Sequence, residues 1–123
     1  MKRNLSIFFA IFVCSYLAVS QNLKVKLTDH TANVEIIGYS PDGRYFASSG
    51  WDGVVNLYNM DSTGIPKFKY AFLGHLGAVT SLCFSANSKL IISCGKDYSA
   101  RIWNIDFPDS SKTFNVLVLA LSR

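Results

Sequence analysis

Apolar and polar residues alternate along much of the chain in short runs that are separated by turn-forming residues. In residues 23–27 (Leu-Lys-Val-Lys-Leu) every second residue is apolar, which indicates a strand with one face in water. Residues 33–39 are apolar almost without interruption. Such a run indicates an inner strand that is buried on both faces. The pattern therefore predicts an all-β chain built from many short strands.

Turn signals divide the later runs into two groups of four strands. In Ser40-Pro41-Asp42-Gly43, proline presets φ, aspartate bonds back to the main chain and glycine accepts a positive φ. The matching stretch at 85–88, Ser-Ala-Asn-Ser, lacks proline and glycine and predicts a less firm turn. The expected strands are 33–39, 44–49, 54–58, 67–73, 78–84, 89–94, 99–104 and 113–121.

The second group of strands repeats the first at an offset of 45 residues, without a gap. Residues 30–59 read HTANVEIIGYSPDGRYFASSGWDGVVNLYN, and residues 75–104 read HLGAVTSLCFSANSKLIISCGKDYSARIWN. The aligned pairs that carry the argument are His30 with His75, Ser48 with Ser93, Asp52 with Asp97, and Tyr58 with Trp103. A period of about 40–45 residues with these residue types is typical of propeller blades.

Both repeats resemble the WD-repeat family of β-propellers. Gly74-His75 looks like the family's Gly-His pair, and Ile102-Trp103 stands where its Trp-Asp dipeptide begins, although Asn104 follows. The resemblance implies an all-β fold of two four-stranded antiparallel propeller blades, a partial propeller. Together with an apolar helix expected in a leader at 1–20, the predicted division is an outer strand of an adjoining blade at 21–29, blade 1 at 30–73, and blade 2 with an apolar C-terminal strand at 74–123.

Two sets of side chains look at first like catalytic triads. They are His30, Ser48, Asp52 and Tyr58 in the first repeat, and His75, Ser93, Asp97 and Trp103 in the second. A catalytic triad needs an exposed serine beside an oxyanion hole, whereas the resemblance implies a buried hydrogen-bond chain from the aromatic residue through serine and histidine to aspartate. We therefore expect a structural network and no enzyme. Since Tyr58 replaces the tryptophan, the first network is expected to be incomplete or bridged by water, and blade 1 to be the weaker blade.

The resemblance places partner binding on the edge that carries the loops between blades and the turns between the second and third strands. Trp51, Asn33 and Lys96 lie there, and aromatic residues are enriched at interface hot spots. Alternatively, Trp51 packs on the neighbouring blade's loop and Lys96 is only solvated. The predicted function is a non-enzymatic scaffold for protein–protein interaction. The alternative is the sensor or non-catalytic propeller part of an exported multidomain enzyme.

Charge and cysteine usage narrow the range of partners. The formal net charge is +4, and the basic residues are scattered rather than gathered in the stripe that a nucleic-acid surface needs. The sequence shows no metal-ligand cluster and no phosphate-binding loop, so we expect no nucleic acid, no metal and no cofactor.

Cys83 and Cys94 fall on neighbouring strands as diagonal neighbours, which is too far for a disulfide. They are expected to be small buried hydrophobic residues.

Residues 1–20 are typical of an export signal. Lys2 and Arg3 precede an uncharged apolar run, and Ala18-Val19-Ser20 places small residues before a cleavage site at Gln21. The expected location is periplasmic or secreted. Two alternatives stay open, namely an uncleaved anchor that holds the chain to a membrane and a cytoplasmic protein with a misassigned leader.

Two blades are too few for a closed ring, since closed propellers have about 4–8 blades. An isolated pair leaves two broad apolar faces in water. The sequence therefore predicts one of three arrangements: a part of a longer propeller, a homo-oligomeric ring of several copies, or an open unit that binds a partner. The expected partners are other proteins or further blades.

Overall fold

The computed structural model describes residues 25–110 and 112–115. The predicted leader with its apolar helix lies outside the described residues, as does the predicted last strand beyond residue 115. A single turn of 3₁₀ helix at Pro108–Ser110 precedes the final strand. The strands are β1 (Val34–Tyr39), β2 (Tyr45–Gly50), β3 (Val55–Met60), β4 (Pro66–Phe72), β5 (Val79–Phe84), β6 (Leu90–Gly95), β7 (Ser99–Asn104) and β8 (Lys112–Asn115).

The strands form two antiparallel sheets in the predicted arrangement. The first sheet, blade 1, has the order β1-β2-β3-β4, and the second, blade 2, has the order β5-β6-β7-β8. Each strand pairs with its neighbour in sequence, because short turns join consecutive strands as hairpins. The first seven strands begin and end within two residues of their predicted bounds. Alternating patterns and turn residues therefore predicted the element order correctly.

The β1–β2 and β5–β6 turns have the same construction with different residues. In blade 1, the Asp42 carboxylate accepts hydrogen bonds from the Ser40 hydroxyl at 2.7 Å and from the Arg44 N–H at 3.0 Å. In blade 2, Asn87 Oδ1 accepts from the Ser85 hydroxyl and from a backbone N–H in the same way. Asparagine thus replaces aspartate without loss of the turn.

The hydrophobic core lies between the two sheets. Leu82 on β5 sits directly over Gly38 on β1, where a Cβ atom added to the glycine would lie 3.1 Å from the leucine Cδ2. The rings of Phe72 and Trp103 also meet across this junction, with 5.2 Å between their centroids. The buried residues of this core are Tyr45, Ala47, Val55, Leu57 and Phe72 from blade 1, and Val79, Leu82, Ile91, Trp103 and Ile105 from blade 2.

The prediction that the first inner strand is buried on both faces is wrong for β1. Ile36 packs against the core, whereas Val34, Ile37 and Tyr39 are exposed. These three side chains point away from blade 2, and no other sheet of the described residues covers them. Apolar composition predicted burial, but burial depends on a neighbouring sheet as well as on the strand itself.

The prediction for the two cysteines is half correct. Cys83 pairs with Ile92, and Cys94 pairs with Ser81, so the cysteines are diagonal neighbours and both are free thiols, as expected. Both are exposed rather than buried. Their side chains lie on the face of blade 2 that points away from blade 1. As with the exposed side chains of β1, no other sheet of the described residues covers them.

The segment before β1 differs from its predicted form. Residues 25–30 carry no strand, because an outer strand needs a pairing partner and the described residues offer none. The assignment of residues 21–29 to an adjoining blade stays a prediction. Among the residues that the structure describes, no helix has the length and apolar character to cross a membrane.

Candidate functional site

Blade 2 contains the predicted hydrogen-bond chain, complete from tryptophan to aspartate. The Trp103 indole N–H donates to the Ser93 hydroxyl at 2.8 Å. That hydroxyl lies 2.8 Å from Nε2 of His75, and Nδ1 of the same ring lies 3.0 Å from the Asp97 carboxylate. Because a carboxylate only accepts, Nδ1 carries the proton and Nε2 accepts from Ser93. The chain joins β6, β7 and the loop before β5.

The Asp97 carboxylate is the end point of this chain and the centre of its turn. It also accepts hydrogen bonds from the Leu76 N–H at 2.9 Å and from the Ser99 hydroxyl at 2.8 Å. Burial acts to raise the pKa of Asp97, but these hydrogen bonds and the one with His75 together lower it well below its usual value. The ionised carboxylate therefore fixes the turn and the loop between the blades.

Blade 1 contains the same network with one different end. Nδ1 of His30 lies 2.8 Å from the Asp52 carboxylate, and Nε2 lies 2.8 Å from the Ser48 hydroxyl. At the aromatic end, the Tyr58 hydroxyl donates to Asp29 at 3.0 Å. Burial raises the pKa of Tyr58, its hydrogen bond with Ser48 lowers it, and its bond with Asp29 raises it. The tyrosine thus links the network to a second carboxylate, and the lower stability of blade 1 stays a prediction.

The aromatic substitution is matched by a change at the residue before histidine. Gly74 precedes His75, and a Cβ atom added there would lie 2.5 Å from Arg101 Nη1 and 3.3 Å from the Trp103 ring. Asp29 holds the same place before His30, where Asn56 and Tyr58 stand in place of Arg101 and Trp103. The repeat comparison could have revealed this paired change, but Asp29 was missed because only matched residues were considered.

The buried networks are not built for nucleophilic catalysis. Ser93 is 0% exposed, and its hydroxyl is already used by Trp103 and His75. A nucleophile must reach a substrate beside an oxyanion hole, which a buried serine with satisfied hydrogen bonds does not. The described residues also contain no group of three or more side chains suited to hold a metal ion. The geometry supports a structural role for both sets.

The networks position a surface that we call the upper edge, formed by residues 31–33 and 73–78 and by the turns at 51–54 and 96–98. The carbonyl of Asn33 accepts the main-chain N–H of Trp51 at 2.9 Å. The indole N–H of Trp51 donates to Glu35 at 2.9 Å, and the Lys96 ammonium lies 5.3 Å from the indole ring centroid. Trp51 is nevertheless 56% exposed. The three predicted binding residues are therefore brought together at one place.

Two exposed side chains extend the upper edge beside Lys96. Leu76 is almost fully exposed, and its N–H is bonded to Asp97. Tyr98 is also exposed, in a left-handed conformation with φ of 60°. Its counterpart in blade 1 is Gly53, a residue that adopts this conformation more readily. Sequence reasoning missed Tyr98 because the repeat alignment pairs it with glycine.

Comparison with known proteins supports the two-repeat interpretation. A family model described as "WD domain, G-beta repeat" matches residues 21–59 and 66–104. The predicted resemblance is confirmed.

Several curated proteins are similar to this chain over most of its length. It is 35% identical over 85 residues to "Actin-interacting protein 1" of Drosophila melanogaster, covering 68% of this chain and 14% of that protein. It is 32% identical over 97 residues to "WD repeat-containing protein 1" of Gallus gallus, covering 76% of this chain and 15% of that protein. It is 34% identical over 87 residues to "Small ribosomal subunit protein RACK1" of Caenorhabditis elegans, covering 68% and 26%. The chain thus spans between a seventh and about a quarter of these relatives.

Proposed function

Because this chain belongs to the WD domain, G-beta repeat family, we propose that it is a non-enzymatic scaffold that binds other proteins through its upper edge. The observation that carries the proposal is Trp51, an exposed indole that Glu35 and Lys96 hold in place from two sides. A large aromatic side chain that is already ordered loses little conformational entropy on binding. Tryptophan is also enriched at interface hot spots.

Two relatives support the class of function only. The printed name of the Drosophila relative says that that protein interacts with actin, and the name of the Caenorhabditis relative places it in a ribosomal subunit. Each shares only a minor part of its length with this chain, so the proposal takes from them protein binding and no particular partner. Nothing in the described residues favours the alternative of a sensor in an exported enzyme.

The proposal is tested by replacing Trp51 with alanine and comparing the proteins that each variant retains on an affinity column. The matched control is Phe68→Ala, which removes an aromatic ring of similar exposure, 52% against 56%, from the outer strand β4. Quantitative mass spectrometry should identify proteins that the wild type and Phe68→Ala retain and that Trp51→Ala loses by about tenfold or more, as expected for a hot spot of about 2 kcal/mol.

Circular dichroism checks that both variants keep the wild-type fold. Equal retention by all three proteins, or equal loss from both variants, would refute the assignment of binding to the upper edge.

A further inference from the structure

Two positively charged side chains lie at the upper edge without a carboxylate partner. Lys96 is exposed, and its ammonium lies 5.3 Å from the centroid of the Trp51 indole ring. Arg101 is half-buried beside Gly74, where a Cβ atom added to the glycine would lie 2.5 Å from the arginine Nη1. Within the part of the chain that the structure describes, neither cation forms an ion pair. Both charges are thus available to an anion that another molecule supplies.

The surroundings of Arg101 hold its charge in place without neutralising it. The guanidinium carbon lies 5.7 Å from the centroid of the Trp103 ring. Its Nε is buried and has no hydrogen-bond acceptor among the described residues. Removing a charged group from water without giving it an acceptor is costly. An anion that reaches the remaining N–H groups of this guanidinium is therefore stabilised there, and the planar fork of an arginine matches a carboxylate.

The carboxylates of the same region, by contrast, are already bonded within the chain. Glu35 accepts the indole N–H of Trp51 at 2.9 Å. Asp52 and Asp97 each bond a histidine, and each also accepts one main-chain N–H from its own turn and one from the loop before the blade. The charge that still lacks a partner at the upper edge is therefore positive.

Exposed apolar side chains surround the two cations. Leu73 and Leu76 lie on the loop between the blades and are 71% and 93% exposed, and Trp51 is exposed beside them. This loop is packed on blade 1, because a Cβ atom added to Gly53 would lie only 2.9 Å from the carbonyl oxygen of His75. The cations and the apolar side chains therefore lie along one junction, between the two described blades.

We propose that the partner of the upper edge is a protein segment that carries carboxylates next to bulky apolar side chains. Its carboxylates pair with Lys96 and Arg101, and its apolar side chains pack on Leu73, Leu76 and Trp51. This inference rests on the proposed function and adds to it the chemistry of the partner. Nucleic acid fits this surface less well, since it needs a basic stripe and here two cations stand among apolar groups. Complementary charge of this kind chiefly decides which partner is selected.

The probes are three pools of short synthetic peptides that have the same random arrangement of leucine and phenylalanine. At matched positions the acidic pool carries glutamate, the neutral pool glutamine and the basic pool lysine. Each pool is passed over the immobilised full chain, and the retained peptides are quantified by mass spectrometry. Lys96→Met removes one charge and keeps an unbranched side chain over the indole, and Arg101→Gln removes the other charge. The control, Lys89→Met, removes a charge from the exposed β5–β6 turn at the opposite edge.

We expect the wild type and the control to retain the acidic pool over the neutral pool by about threefold or more, the preference that two partly exposed ion pairs give. Each variant should lose part of this preference, and the double variant should lose all of it. Added salt should weaken the preference, because it screens exposed charges. Circular dichroism checks the fold of each variant. Should Arg101→Gln fail to fold, Lys96→Met decides the test, since Lys96 is exposed.

Three results would overturn the inference. They are no retention of any pool, equal or greater retention of the neutral or basic pool, and an acidic preference that the charge-removing variants keep. None of these decides the proposed function, which requires only that Trp51→Ala loses proteins that Phe68→Ala retains. Loss of those proteins together with a missing acidic preference would leave the upper edge as a binding surface for partners of different chemistry.

Discussion

At the scale of single residues, Asp97 shows how one partly buried anion organises a blade. Its carboxylate accepts the Ser99 N–H and hydroxyl, the Leu76 N–H and a proton of His75. These donors stabilise the ionised form, so the folded chain holds the pKa of Asp97 below its usual value. A group with a lowered folded pKa stabilises the protein above its unfolded pKa, and this stabilisation is lost as the pH falls.

We therefore expect Asp97→Asn to lower the free energy of unfolding by about 1–3 kcal/mol at pH 7, the cost of removing the charge that its hydrogen-bond donors stabilise. The pKa of aspartate in the unfolded chain is about 4. Below that pH the wild type should lose stability, and its free energy of unfolding should approach that of the variant. Urea unfolding between pH 7 and pH 2.5 measures both curves. The exposed Asp109→Asn should stay close to the wild type throughout. A difference that is independent of pH would contradict the role of the ionised carboxylate.

The network residues could be predicted from the sequence because both repeats contain them in the same order. Ser99 could not be predicted in this way, because Val54 stands at its place in blade 1. Its hydroxyl nevertheless binds Asp97 at 2.8 Å. Asp29 escaped notice for the same reason. Repetition thus identifies what the blades share, whereas contacts that belong to one blade require the coordinates.

At the scale of elements, the β5–β6 turn shows how a hairpin forms without the preferred residues. Ser88 takes the place of Gly43 and adopts the same left-handed conformation, with φ of 59°. Its hydroxyl accepts the Asp42 N–H of the other blade at 3.2 Å. The serine therefore combines a conformational cost with a contact that joins the two turns.

Two substitutions separate these effects. Ser88→Ala removes the hydroxyl and keeps a side chain in the left-handed conformation, whereas Ser88→Gly removes the hydroxyl and relieves the conformation. Alanine should therefore be the less stable of the two by about 1 kcal/mol. Chemical unfolding of both variants beside the wild type measures the difference. Equal stabilities would show that the φ of residue 88 carries no cost.

The strands themselves were predictable, since alternation and turn residues are local properties. The burial of each strand could not be predicted from these local properties. β1 reads as an inner strand because Val34, Ile37 and Tyr39 are apolar, yet these residues are exposed. Cys83 and Cys94 were misjudged in the same way. A pattern records which face is suited to burial, and only the arrangement of sheets shows whether a neighbour is present.

At the scale of the whole molecule, one junction joins the two blades, and Ile37 on β1 lies exposed on the side of blade 1 that is turned away from it. The stability of a repeat array is approximately the sum of the intrinsic stability of each repeat and the energy of each junction between neighbours. A residue at a given repeat position should therefore contribute strongly to stability where it packs in a junction between blades. The residue at the same position should contribute weakly where it is exposed. Leu82 and Ile37 occupy that one position in the two states.

We expect Leu82→Ala to lower the free energy of unfolding by about 2–3 kcal/mol, near the low end for a buried leucine. Ile37→Ala should cost less than about 1 kcal/mol in dilute solution, since its side chain is already more than half exposed. Urea unfolding of both variants beside the wild type measures the two costs. Equal costs for the two substitutions would mean that the contact between the blades contributes nothing at this repeat position.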